Sequence, residues 1–243
     1  MATALLFALI ASSALIIGGV IGSLWRPPQR LTGVLLAFAS GALISALAIE
    51  LFGEAFHLGG ALPAGLGLLA GAAVFVIADG GLDRYVAGDP GAEARQTAAG
   101  GTSRGVGWAL LAAVTLDGVP ENLALGVSLV EHASLTLLIA IFASNLPESL
   151  VGAVAMRDEG RSPRFAIATW AGAALLLAIA VVLGRVLAGG LSEPVLAVAL
   201  AFAGGAVLAS LADTLMPEAF EHGRPLNAFA SAGGFFLSFV LAT

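Results

Sequence analysis

The sequence predicts an all-α membrane protein of eight transmembrane helices, and three observations predict it. Of 243 residues, 59% are apolar and 11% charged, with a mean hydropathy of +1.00, far outside the range of a water-soluble globular domain. Polar stretches cut the chain into apolar runs near the roughly 20 residues that carry a helix across the hydrocarbon layer. The 32 glycines suit helices packed backbone to backbone better than the alternating pattern of a barrel strand. The absence of cysteine excludes disulfides, thiolate metal sites and cysteine nucleophiles. A net charge of −6 with no basic run argues against nucleic acid as a partner and leaves the lipid bilayer as the main one.

The first span covers about 3–24 and ends at Trp25-Arg26. Its apolar run is long and no basic residue precedes it, so it reads as a retained helix rather than a cleaved leader. Pro27-Pro28 separate it from span two, about 32–53, which runs into Glu50, Glu54 and His57. Span three covers about 61–86, with Asp79 and Asp83 as a solvated i,i+4 pair near its end. Residues 87–104 hold Gly, Ala, Asp, Glu, Arg, Thr and Ser without a large aliphatic side chain, the composition of a flexible loop. Spans four and five, about 105–130 and 133–156, meet at a tight turn, Glu131-His132, where His132 reads as a loop residue. Spans six, seven and eight follow at about 164–188, 193–216 and 226–243, completing a single polytopic domain, 1–243. The Gly18/Gly22 and Gly67/Gly71 pairs mark close helix contacts.

Arginine supplies all 10 fixed positive charges. With both termini outside, Arg26, Arg30, Arg84, Arg95, Arg104, Arg157, Arg161, Arg164 and Arg224 fall on cytoplasmic loops, and Arg185 alone lies near an outer end. That bias sets the expected orientation in a cell inner (plasma) membrane.

An internal repeat adds a second level of order. Residues 41–56, GALISALAIELFGEAF, align without gaps to 205–220, GAVLASLADTLMPEAF, and share the Glu-Ala-Phe ending. In the expected topology the two segments run in opposite directions, with Glu54 near the outer surface and Glu218 near the inner one. The chain then divides into three helices, two central helices and three helices. Inverted repeats that meet at the bilayer midplane are a signature of alternating-access transport.

The two central spans carry the chemistry. Leu116-Asp117-Gly118-Val119-Pro120-Glu121-Asn122 and Ala143-Ser144-Asn145-Leu146-Pro147-Glu148-Ser149 each place a carboxylate directly after a proline inside an apolar run. A charge at the bilayer centre costs roughly 2.5–3.5 kcal/mol on insertion scales, so two such points call for a purpose. On a helix Asp117 and Glu121 share a face, as do Ser144 and Glu148, with Asn145 one step round. Pro120 and Pro147 lack an N–H, which leaves the carbonyls of Leu116 and Ala143 available toward the site. Asp117, Glu121, Ser144, Asn145 and Glu148 are therefore the expected ligands of a cation. Three carboxylates without an arginine in either span need a divalent cation, protonation or water to compensate them. Asn122, Ser149, Glu50, Glu54, His57, Asp213, Glu218 and His222 are the expected pathway or auxiliary residues. No Gly-x-Gly-Asp or His-Glu-x-x-His motif is present, so an intramembrane hydrolase is not expected, nor is an organic cofactor.

At these residues the chain resembles the ZIP (Zrt-/Irt-like) family of divalent metal transporters. The carrying motifs are Asp117-Gly118-Val119-Pro120-Glu121 in span four, Ser144-Asn145-Leu146-Pro147-Glu148 in span five, and Gly53-Glu54-Ala55 and Pro217-Glu218-Ala219 at the ends of spans two and seven. The resemblance implies eight spans with both termini outside, often a homodimer, and zinc, manganese or iron as the transported substrate. It also implies an elevator-like movement of spans one, four, five and six past two, three, seven and eight. The departures shift the chemistry. Asp117 stands where the family has histidine, Gly118 where it has asparagine, Ser144 where an imidazole or amide begins the second motif, and Asn122 and Ser149 where glycine follows Pro-Glu. Span six carries no acid over 165–184, so one oxygen-lined site is expected rather than a two-metal centre. Oxygen donors favour harder ions such as manganese or iron(II), although affinity order alone still favours zinc. Residues 87–104 hold no histidine, so no metal sensing is expected there. Proton relay through the three acids and metal binding without transport are the rival expectations.

Overall fold

The computed structural model describes residues 1–86 and 106–242. Among the described residues 89% are helical and none lies in a strand, so the all-α fold class holds. The helices are α1 (Ala2–Leu24), α2 (Gln29–Gly59), α3 (Ala61–Val86), α4 (Val106–Ser128), α5 (Leu135–Asp158), α6 (Pro163–Ala188), α7 (Glu193–Gly223) and α8 (Asn227–Ala242). Among the described residues, six helices have the length and apolar composition to cross a membrane: α1, α2, α3 over Ala61–Gly81, α5, α6 and α7. α8 is a shorter apolar helix. The expected loop 87–104 lies outside the described residues.

Local chemistry sets several helix ends. Ser134 and Ser162 cap α5 and α6 by accepting the N–H of Leu137 at 3.0 Å and of Phe165 at 3.2 Å, and Pro163 opens α6 where no N–H is needed. α2 stops at Gly60, whose φ of 75° and ψ of −175° are open essentially to glycine alone.

α2 and α7 both outrun the spans expected from hydropathy, about 32–53 and 193–216. Each continues through a π-helical segment, Leu47–Gly53 in α2 and Leu211–Leu215 in α7, into a final polar turn or two ending at Gly59 and Gly223. Leu47 and Leu211 are aligned positions of the repeat. A π segment widens the helix by one residue per turn and turns the following side chains onto a new face.

The packing pairs α2 with α8, α3 with α7, α1 with α5, and α4 with α6, while α1 also lies along α6. Glycine permits these approaches. A Cβ on Gly41 of α2 would stand 1.9 Å from the Ser231 carbonyl oxygen of α8, and one on Gly205 of α7 would stand 2.0 Å from that of Leu68 in α3. The reciprocal positions match as well: a Cβ on Gly234 would stand 1.9 Å from the Phe38 carbonyl oxygen, and one on Gly71 would stand 1.9 Å from that of Phe202. Gly41 and Gly205 are aligned in the repeat, and Phe38 and Phe202 each lie three residues before them. The same sequence positions therefore make the same contacts in both halves. Gly18 and Gly22 lie against the carbonyls of Leu146 and Leu150, and Gly67 and Gly71 against those of Val198 and Phe202, as their spacing suggested.

Two apolar cores hold the helices together. The larger runs through α2, α5 and α7, and the smaller surrounds Trp170, whose buried ring fills the space left by Gly19 and Gly152. The outer faces are also apolar: Leu62, Leu69 and Ile77 on α3 and Phe229 and Phe236 on α8 stand exposed, as in a protein whose solvent is lipid.

Candidate metal site

α4 and α5 are joined by the short turn at Glu131-His132 and pack against each other, with α7 along α4 and α2 along α5. Pro120 and Pro147 lie inside helices that continue through them. Because proline has no N–H, the carbonyls four residues back, Leu116 and Ala143, receive no bond from those positions.

The structure brings the acids of the two helices together. Asp117 and Glu121 are buried. The Ser144 hydroxyl of α5 lies 3.3 Å from Glu121 Oε2 and 3.0 Å from the Ile141 carbonyl, so its single proton serves one or the other. The Glu148 carboxyl stands within electrostatic reach of Glu121, Asp117 and, from α7, Glu218. Asn145 is buried, and neither its Oδ1 nor its Nδ2 has a hydrogen-bond partner. Asn122 donates through Nδ2 to the Gly118 carbonyl at 2.8 Å, leaving its buried Oδ1 without a partner. One oxygen each of Glu121 and Glu148 is buried without a partner as well. A polar group left in that condition costs roughly 1–3 kcal/mol, more if charged, and several of them lie on these two helices.

The arrangement is a loose gathering rather than a closed cage. Among the described residues, no three His, Asp or Glu side chains stand close enough together to hold a metal ion as they are. Neutral oxygens therefore matter: Ser144 lies beside Glu121, Asn145 is buried three residues before Glu148 on the same helix, and the freed carbonyls are on the same two helices.

The expected auxiliary residues divide. Glu218 is half-buried on α7, within electrostatic reach of Glu148 and nearer to His222 and Glu221 of its own helix. Ser149 faces α1 instead, its hydroxyl 2.8 Å from the Asn145 carbonyl and 3.4 Å from that of Ala14, because it lies one residue and about 100° round the helix from Glu148. Glu50 is buried and bonds His132 rather than the central group. Glu54 is half-buried, His57 and Asp213 are exposed, and the Nδ1 of His222 lies 3.2 Å from its own helix's Glu218 carbonyl. Asp79 is half-buried, and the Asp83 side chain lies outside the described residues.

Two residues of the site region escaped the sequence reading. Thr214 in the π segment of α7 places its hydroxyl 3.2 Å from Asp117 Oδ2 and 2.8 Å from the Ser210 carbonyl. His132 is the second. The signal for Thr214 lay in the repeat, where it aligns with Glu50. Thr214 and Glu50 each sit in a π segment and reach toward the α4–α5 unit, one to Asp117 and the other to His132.

No family model matches the chain, and no curated protein matches its sequence.

Proposed function

We propose that the protein transports a divalent metal cation of the zinc, manganese or iron class across the membrane by alternating access. In this reading all eight helices span the bilayer in a three, two, three arrangement with both termini outside, and the halves are inverted repeats. Membership of the ZIP family is part of the proposal and rests on the paired Pro-Glu motifs together with the Glu-Ala endings of α2 and α7.

One observation carries the reading: Glu121 and Glu148, on two facing proline-bearing helices, each bury a carboxylate oxygen that has no hydrogen-bond partner. A cation drawing these acids together with Asp117, Ser144 and Asn145 would satisfy groups that otherwise stand at a cost. A loose site suits cargo, which must leave again, better than a closed cage does. The matching glycine contacts of α2–α8 and α3–α7 support the repeat, because two halves built alike can exchange conformations. Asp117 and Ser144 make the donor set all oxygen, so manganese and iron(II) compete with zinc more evenly here than at a histidine site.

Uptake of radiolabelled zinc, manganese and iron(II) into proteoliposomes tests this. The unsubstituted chain is expected to accumulate at least one of the three, and Glu121→Ala and Glu148→Ala to abolish it. Equal uptake in both variants would remove these residues from the pathway, and metal binding without flux would leave a binding protein.

A further inference from the structure

The α4–α5 turn carries a contact that the central site does not use. His132 Nε2 lies 2.9 Å from Glu50 Oε2, and the two residues differ sharply in setting: the histidine side chain is 50% exposed and the glutamate 8%. One partner borders water and the other is sunk between helices. Glu50 is turned to this position by the π segment of α2, and Glu54, four residues on, and Glu131, adjoining His132, add acid at the same end.

The pair has the chemistry and nearly the spacing of two ligands on one metal ion. Imidazole nitrogen binds zinc at about 2.0–2.1 Å and carboxylate oxygen at about 2.0–2.2 Å, so two such ligands on a tetrahedral ion stand about 3.3–3.5 Å apart. Opening the observed contact by about 0.4–0.6 Å, within the reach of side-chain rotation, admits the ion in place of the shared proton. The comparison between the two halves points the same way. At the aligned position α7 carries Thr214, a neutral hydroxyl directed at Asp117, whereas α2 carries a carboxylate directed at an imidazole. The fold therefore places a metal-ligand pair at one end of the α4–α5 unit where its counterpart has only a positioning hydroxyl.

We propose that His132 and Glu50 form a second, shallow binding site for a divalent cation of the zinc class, with water completing its coordination. It takes from the proposed function only the class of cargo. Two protein ligands and a half-exposed ring give a weak, rapidly exchanging site, as capture at the mouth of a pathway requires. A cation held there also bridges α2 to the α4–α5 turn, so capture and the relation of those two parts are linked.

Cobalt(II) is a suitable probe, because its visible absorption reports nitrogen and oxygen ligation and the chain has no cysteine to interfere. The purified full chain in detergent, carrying Glu121→Ala and Glu148→Ala to disable the central group, is expected to bind one cobalt ion per chain with a nitrogen-ligated spectrum. Adding His132→Ala or Glu50→Gln is expected to weaken that binding at least tenfold. His132→Cys is expected to retain it and add a sulfur-to-cobalt charge-transfer band. Melting temperatures within a few degrees of the parent confirm that the half-exposed His132 was replaced without unfolding. Unchanged spectrum and affinity in His132→Ala would overturn the proposal. Failure of the central site is read separately, by comparing the chain with and without Glu121→Ala and Glu148→Ala, and leaves the His132 comparison intact.

Discussion

Gly205→Ala tests the backbone contacts that hold α3 against α7. The new methyl would begin 2.0 Å from the Leu68 carbonyl oxygen, whereas even close carbon–oxygen contacts stand at about 3.3–3.6 Å. The helices must separate by about 1.3 Å or more at that point. The same separation opens the neighbouring contact of Gly71 with the Phe202 carbonyl, so it is not confined to one residue. Overpacking of this kind costs about 1–3 kcal/mol. At about 2–4 °C per kcal/mol for a chain of this size, the expected fall in melting temperature is about 2–12 °C. The assay is thermal unfolding in one detergent, followed by circular dichroism. Gly41→Ala, which meets the Ser231 carbonyl at 1.9 Å, is expected to behave the same way. Gly172→Ala on α6 is the control: nothing lies within 4 Å of its Cβ, and losing a helix-interior glycine should gain about 0.5–1 kcal/mol. A Gly205→Ala protein that melts at or above the unsubstituted chain would refute the packing argument.

Thr214→Val keeps the shape of the side chain and removes the hydroxyl beside Asp117; at about 1 kcal/mol for the bond, roughly a fivefold rise in the metal concentration for half-maximal uptake is expected, with protein stability little changed. Asp117→His exchanges an oxygen donor for a nitrogen, and competition uptake should show zinc gaining on manganese by about tenfold or more. Arg26→Ala removes an ion pair with Asp158 in which both partners are exposed, and its effect on the melting temperature should stay within about 4 °C, corresponding to about 0–1 kcal/mol.

The grouping of Asp117, Glu121, Ser144 and Glu148 was legible because it is written locally, as i,i+4 spacing around two prolines. The repeat was legible for a related reason: at Gly41 and Gly205 a Cβ would stand 2.0 Å or less from a neighbouring carbonyl oxygen, so both halves need glycine at the same place. The ends of α2 and α7 were not legible. Hydropathy stops where a helix becomes polar, but Glu54–Gly59 and Met216–Gly223 remain helical beyond the π segments, and a π turn leaves no apolar period to read. Those π turns also explain why Thr214 was missed and why Glu50, expected as a pathway residue, had no partner assigned to it. Both look like ordinary helix positions until the extra residue turns them toward Asp117 and His132. Ser149 was assigned to the pathway from its place beside Glu148, and its contact with α1 is a matter of helical phase that adjacency in sequence conceals. His132 carries no motif, and its role depends on a partner 82 residues away.

Anomalous scattering from crystals grown in turn with zinc and manganese tests the central claim most directly, because it places the cargo atom by atom. The account predicts a metal peak between α4 and α5, within bonding distance of carboxylate oxygens of Glu121 and Glu148 and joined by Asp117 or Ser144, that disappears in the Glu121→Ala, Glu148→Ala protein. A peak that persists in that variant, or none between the two proline-bearing helices at saturating metal, would contradict it.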